Sequence, residues 1–250
     1  MQNHKFVFIA GLHRSGTSIL FQCLREHPLI SGFSNTRVSK DEGQHLQSVY
    51  RPAKAYGGWG KFGFNPEAHL TELSPLVTEE NRIRLFSEWA KYWDTEKPLL
   101  LEKSPPNLIR TRFLQALFPD SYFIVLVRHP IAVSYATGKK LIIKSTLERL
   151  LNHWLICHDT FSADREHIRN IFVLKYEDFI EDTDRCLEKI SSFLGIDSHP
   201  NNLRVRSNAN EKYFKRWKRL RNNLILKFYA NYIIEKYETR VNQYGYSLIT

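Results

Sequence analysis

Four short runs of apolar and β-branched residues punctuate the chain: Phe6–Ala10, Leu99–Leu101, Tyr122–Val127 and Ile171–Leu174. Each is almost wholly apolar rather than alternating, the pattern of strands buried on both faces of a parallel sheet. Between them, apolar positions recur at helical spacing. Thr17–Glu26 follows the first run, Asn107–Leu117 the second and Asp184–Leu194 the fourth, while Ile131–Thr137 opens a helix after the third. The alternation predicts an α/β fold with a layered sheet. Right-handed crossovers then set the C-terminal strand ends along one edge, where open α/β sheets bind ligands.

Three of those ends are polar. The first run leads into Arg14–Ser18, the second into "EKSPPN" (Glu102–Asn107) and the third into "RHP" (Arg128–Pro130). These clusters are expected to face one crevice. Residues 31–95 read differently: "AYGGWGKFGFNP" (Ala55–Pro66) is rich in glycine and aromatics. The stretch reads as an irregular excursion over the site and a place for an acceptor to bind.

In "FIAGLHRSGTSILFQCL" (Phe8–Leu24), Gly11 and Gly16 have the G-x-x-x-x-G spacing of a phosphate-binding loop between a strand and a helix. Ser18 fills the final hydroxyl position, but Thr17 stands where a nucleotide-hydrolysing loop has lysine, and the cation comes earlier, at Arg14. Backbone N–H groups at a helix start bind anions, and the arginine and the hydroxyls add donors. The loop is suited to a diphosphate-like group whose far end does not need that lysine.

At 250 residues and 42% hydrophobic, the chain reads as one domain, 1–250, with ample core. No leader-like segment precedes the first strand, and no apolar run has membrane-spanning length. Cys23, Cys157 and Cys186 are scattered and odd in number, which reads as reduced thiols of a cytoplasmic protein. The net charge of +10 favours an anionic partner without naming it. Part of it sits in "KYFKRWKRLR" (Lys212–Arg221), read as a helix with about half of its cations on a solvated face.

"GLHRSGTS" resembles the 5′-phosphosulfate loop of the P-loop sulfotransferases, which use 3′-phosphoadenosine-5′-phosphosulfate (PAPS). The likeness continues through "LLLEKSPPNLIRTRFLQALFPDSYFIVLVRHPIAVSYA" (Leu99–Ala136), whose "FIVLVRHP" resembles the family's 3′-phosphate strand and loop. "VLKYEDFIEDTDRCLEKISSFLGI" (Val173–Ile196) resembles the family's "YEDF" strand and helix. "NANEKYFKRW" (Asn208–Trp217) and the closing "YETRVNQYGYSLI" resemble bacterial members. The resemblance implies a three-layer α/β/α domain with a central parallel sheet, related to nucleotide kinases. The implied activity is transfer of the sulfuryl group of PAPS to a hydroxyl of a carbohydrate, glycolipid or tyrosine.

The resemblance also implies roles. Arg14, Ser15, Gly16, Thr17 and Ser18 would hold the phosphosulfate, and Arg128 the 3′-phosphate. The family commonly pairs that arginine with a serine eight residues on. Here the position is Ala136, so Ser134 is preferred and Thr137 is the neighbouring hydroxyl. Lys212 and Tyr213 are candidates for a second clamp on the 3′-phosphate or adenosine, and Tyr176 for the adenine. Lys103, where the family keeps a lysine, would join Arg14 in neutralising charge on the leaving oxygen. The small-molecule branch places its base, a histidine, two residues later, but Pro105 stands there. Other branches draw a glutamate from the segment after the first helix. "SKDEGQHLQ" (Ser39–Gln47) offers Glu42, with His45 next and Asp41 also present. His13 reads as a hydrogen-bond donor. His153 and Cys157 are four apart on a helical pattern and read as packing, with no metal expected. A kinase is the competing class, disfavoured by Thr17 and by a third strand that ends in Arg128 rather than an acid. A nucleic-acid binder finds support only in charge.

Overall fold

The computed structural model describes residues 4–138 and 146–249. Five strands, β1 (Lys5–Ala10), β2 (Ile30–Gly32), β3 (Leu99–Lys103), β4 (Tyr122–Val127) and β5 (Asn170–Lys175), form one sheet in the order β2-β3-β1-β4-β5. Every neighbouring pair is parallel. The four apolar runs are four of these strands. β2 escapes a sequence reading because it is three residues long and lies at the sheet edge, too short to show a period.

β4 sends Ile124 and Leu126 into one buried cluster and Val125 and Val127 into another. Alternation along the strand puts these on opposite faces, so the sheet is the middle layer. The first cluster receives α1 (Thr17–Arg25), α2 (Glu79–Ala90), α6 (Tyr176–Glu181) and α7 (Thr183–Leu194). The second receives α4 (Pro130–Gly138), α5 (Leu147–Arg165), α8 (Glu211–Asn222) and α9 (Lys227–Asn242). The helical pattern over Asn107–Leu117 resolves into two pieces. Pro105–Ile109 is a 3-10 turn, the chain breaks at Arg110, and α3 spans Thr111–Leu117. Two prolines open the turn, where their missing N–H groups cost nothing, and the non-helical Arg110 (φ −138°, ψ 12°) separates it from α3.

The excursion is irregular only in part. Five short 3-10 turns run from Ser39 to Ala68. α2 then follows, capped by Thr78 Oγ1, which accepts from Asn81 N–H at 3.1 Å, and it buries Leu85 and Trp89. The cap, the acidic first turn and the two apolar residues four apart were readable signals.

Candidate active site

Strand register explains what meets at the sheet edge. Ile9 of β1 lies beside Lys103 of β3, and Val127 of β4 beside Lys175 of β5. One residue further, Arg128 and Tyr176 emerge side by side, with the guanidinium 4.2 Å from the ring centroid. The loop from Gly11 to Gly16 crosses between these two groups.

Gly16 caps α1 in the left-handed region at φ 100°. A Cβ there would meet the Tyr176 ring at 2.4 Å, and one on Gly11 (φ 148°) would meet Leu126 O at 2.5 Å. Both positions need glycine, for conformation and for room. Arg14 takes a left-handed φ of 72° at the loop tip, with an exposed side chain. Ser15 and Thr17 are buried and Ser18 is half-buried. Ser15 Oγ and His13 Nδ1 are buried without hydrogen-bond partners among the described residues. Burial holds His13 neutral, well below the usual histidine range, reinforced by the nearby His153 and Lys103. Ser15 N–H donates to Leu12 O at 3.0 Å and Ile19 N–H to Gly16 O at 3.1 Å, which leaves the Thr17 and Ser18 N–H groups at the start of α1 without an acceptor among the described residues. The loop therefore presents donors that the protein does not itself satisfy.

The β4 side of the crevice is built around Arg128. Its Nε and Nη2 both donate to Asn210 Oδ1, at 2.8 and 2.6 Å, and its Nη1 donates to Arg14 O at 2.6 Å. Tyr213 closes the other side, its ring centroid 5.7 Å from the guanidinium carbon, and Lys212 Nζ lies 5.1 Å from that ring's centroid. Asn210 donates in turn to Glu177 Oε1 at 2.6 Å, and Tyr246 donates to Glu177 Oε2 at 2.8 Å. Ser134 is buried within α4, and its hydroxyl makes no hydrogen bond to Arg128 or to any other described residue. Thr137 is buried on the same helix.

The β3 side carries Lys103, fully buried, donating to Lys40 O at 2.8 Å and lying 3.4 Å from Glu42 Oε1. Burial lowers the Lys103 ammonium from its ordinary range, while Glu42 and Glu102 pull it back up. Glu42 Oε2 accepts from Gln44 Nε2 at 2.6 Å and lies 3.8 Å from His45 Nε2. Asp41 is turned aside, taking the Thr36 hydroxyl at 2.6 Å. Lys40 and Asp41 both have left-handed φ, 62° and 49°, an uncommon pair for residues with side chains.

Glu102 fixes this loop from below, a role the sequence reading did not assign. It accepts from Gly43 N–H at 3.0 Å, from Ser104 Oγ and from Asn107 Nδ2. Ser104 Oγ also accepts from Gln44 N–H at 2.9 Å, and Trp89 Nε1 donates to Gly43 O at 3.0 Å. A Cβ on Gly43 would meet Glu102 Oε1 at 2.5 Å. Burial pushes the Glu102 carboxyl up to about 7, against the pull of its donors Ser104 and Asn107. The available signal was a lone acid inside "LLLEK", since a buried carboxylate needs partners.

Above the loop, Trp59 stacks on His13 with ring centroids 5.2 Å apart, and Phe62 meets His13 edge-on at 5.8 Å. His153 packs behind Phe62, accepts Gly63 N–H at 3.2 Å and lies 3.6 Å from Cys157 Sγ. Among the described residues no three His, Cys, Asp or Glu side chains gather as a metal-holding group.

Residues 7–200 match the protein family described as the sulfotransferase family. Three solved structures are similar in fold. The sulfotransferase domain of the olefin synthase from Synechococcus PCC 7002 is 18% identical with a TM-score of 0.54, over 85% of this chain and 88% of that one. The sulfotransferase domain from the curacin biosynthetic pathway is 16% identical with a TM-score of 0.52, over 93% and 97%. The sulfotransferase STF9 from Mycobacterium avium is 13% identical with a TM-score of 0.54, over 88% and 69%. No curated protein sequence matches the chain.

Proposed function

The chain belongs to the sulfotransferase family, and on that premise we propose that its donor is PAPS and its acceptor a hydroxyl presented under the Trp59 shelf. One observation carries the reading. A glycine-shaped anion loop with unmet donors lies between two cation sites, Arg128 at the β4 end and Lys103 at the β3 end. A ligand carrying anionic groups at both ends fits that spacing of charge.

The fit is chemical. Ser15 Oγ is a buried hydroxyl without a partner among the described residues, and the α1 start supplies N–H donors for the 5′-phosphosulfate, with Arg14, Thr17 and Ser18 around it. Arg128 still has N–H groups beyond those given to Asn210 and Arg14, and these would hold the 3′-phosphate beside Lys212. Tyr176 and Tyr213 would flank the adenosine. Bound PAPS supplies the sulfuryl group and a phosphate leaving group. Glu42 takes the acceptor proton, with His45 second in line. Lys103 and Arg14 neutralise the charge that grows on the leaving oxygen, the electrostatic work expected of a preorganised site. The stacked Trp59 and His13 suit a flat or ring-bearing acceptor, such as a sugar, a glycolipid headgroup or a tyrosine.

The test is calorimetric titration with PAP, the desulfated donor, in the absence of magnesium, followed by transfer of labelled sulfate from PAPS to fractionated acceptors. Tight magnesium-independent binding of PAP is the expected result. A preference for ATP with strict magnesium dependence would turn the assignment to the kinase class.

A further inference from the structure

The turn between α8 and α9 displays large apolar side chains that the core does not use. Leu224 is 80% exposed, Ile225 79%, Leu226 49% and Phe228 70%. The turn is a built structure. Asn223 Oδ1 accepts from the N–H groups of Ile225 and Leu226 at 3.0 and 2.9 Å, and Asn223 O accepts from Lys227 N–H at 3.0 Å. Four bulky apolar residues held in water at one tip are unusual for a surface, where apolar side chains stand singly.

Their surroundings are cationic. From Lys212 to Ile234 the sequence has seven Lys and Arg and no Asp or Glu. Lys218 and Arg219 are exposed and make no ion pair with any described residue. Together with Lys215, Asn222 and Asn223 they line an open hollow of about 500 Å³ at this end of α8. No helix among the described residues is long and apolar enough to cross a bilayer.

We propose that this tip docks the protein on an anionic lipid surface. Leu224, Ile225, Leu226 and Phe228 enter the headgroup–acyl boundary, while Lys218 and Arg219 take lipid phosphates, Lys215 being paired with Glu211 at 3.2 Å. Apolar insertion and a polybasic rim are the two signals that together hold a protein at a membrane without a span. Charge decides between occupants. A second copy would bring the same seven cations against these, whereas an anionic bilayer neutralises them. Along α8 the tip lies roughly 18 Å from Lys212, at a rise of about 1.5 Å per residue. The docked enzyme would thus stand with its crevice above the headgroups. The proposal rests on the tip alone and holds whatever the donor or acceptor is.

Vesicle co-sedimentation of the full chain tests it, with phosphatidylcholine vesicles against vesicles that also contain phosphatidylserine. The chain should pellet with the anionic vesicles, stay in solution with the neutral ones, and be released by salt. The double variant Leu224→Ser, Ile225→Ser should weaken retention by about tenfold or more per side chain. Lys218→Gln and Arg219→Gln should each weaken it by about fivefold. All four positions are exposed, so melting curves should match the parent, and PAP titration of each variant should be unchanged. Absence of retention on anionic vesicles overturns the proposal, as does retention that survives both sets of changes. Concentration-dependent dimers abolished by Leu224→Ser, Ile225→Ser, without vesicle binding, would assign the tip to a second copy and overturn it equally.

Discussion

At the scale of single residues, Glu42 and Lys103 are the pair on which turnover should depend, and they should fail differently. Glu42→Gln keeps the size and shape of the side chain beside Gln44 but removes the proton acceptor. Turnover should fall by roughly 10²–10⁴, the usual worth of a positioned base, with PAP affinity nearly unchanged. Lys103→Ala removes a buried cation 3.4 Å from Glu42, so it should cost turnover and donor affinity together. Single-turnover rates at saturating acceptor, paired with calorimetry, separate the two. Normal turnover in Glu42→Gln would pass the role to His45, which lies 3.8 Å from the same carboxylate. Both are proposed from the resemblance of short stretches, Lys103 from "EKSP" and Glu42 from "DEGQ", and the structure sets them 3.4 Å apart. Their supports were not legible in the sequence, because Trp89 and Glu102 reach Gly43 from 46 and 59 residues away. Nothing local in a sequence marks such a contact.

At the scale of elements, the sheet was legible because its strands are short, apolar and followed by helical periods. β2 was illegible because three residues carry no period. The loop after β1 was legible because its geometry demands glycine at two fixed points. Gly16→Ala forces a left-handed alanine into the Tyr176 ring. The expected result is a lower thermal midpoint and lost PAP binding, whereas Gly58→Ala, with the same left-handed penalty but no atom within 4 Å of its Cβ, should lower the midpoint less and leave PAP binding intact. The end of β3 offers a pH test. The Glu102 carboxyl is pushed up to about 7 by burial, against about 4.3 in an unfolded chain. Between those values the folded protein holds a proton that the unfolded chain has released. Stability should therefore fall as pH rises from about 4.3 to 7. Glu102→Gln should flatten that slope, since the amide stays neutral throughout. Urea midpoints at the two ends of the window measure it. A parent slope that survives in Glu102→Gln would assign the titration to another group.

At the scale of the whole molecule, the crevice is closed by a part of the chain that lies beyond residues 7–200, the region shared with the family. Asn210, Tyr213 and Tyr246 come from this C-terminal part and converge on Arg128 and Glu177. Trp217 Nε1 donates to Leu248 O at 2.8 Å and the His129 ring is joined to Ser247 O at 3.0 Å, so the last residues are tied to the loop after β4. The charge of "KYFKRWKRLR" was visible in the sequence, but not the division of labour along it. Tyr213 at its start lies beside Arg128 with Lys212 over the same ring, while its far end carries the cationic hollow. Asn210 is the joint of this arrangement, since its Oδ1 aims the Arg128 fork and its Nδ2 is itself aimed by Glu177. Asn210→Ala should leave Arg128 charged but unaimed, and PAP affinity should fall by about 1.5–3 kcal/mol, the range for a hydrogen bond to a charged group. An analogue lacking the 3′-phosphate should bind the parent and the variant alike, because the fork then has nothing to hold. A general loss of folding would weaken both ligands equally, so the difference between them is the measurement. Equal affinity of the parent and Asn210→Ala for PAP would show that Arg128 does not read the 3′-phosphate through this joint.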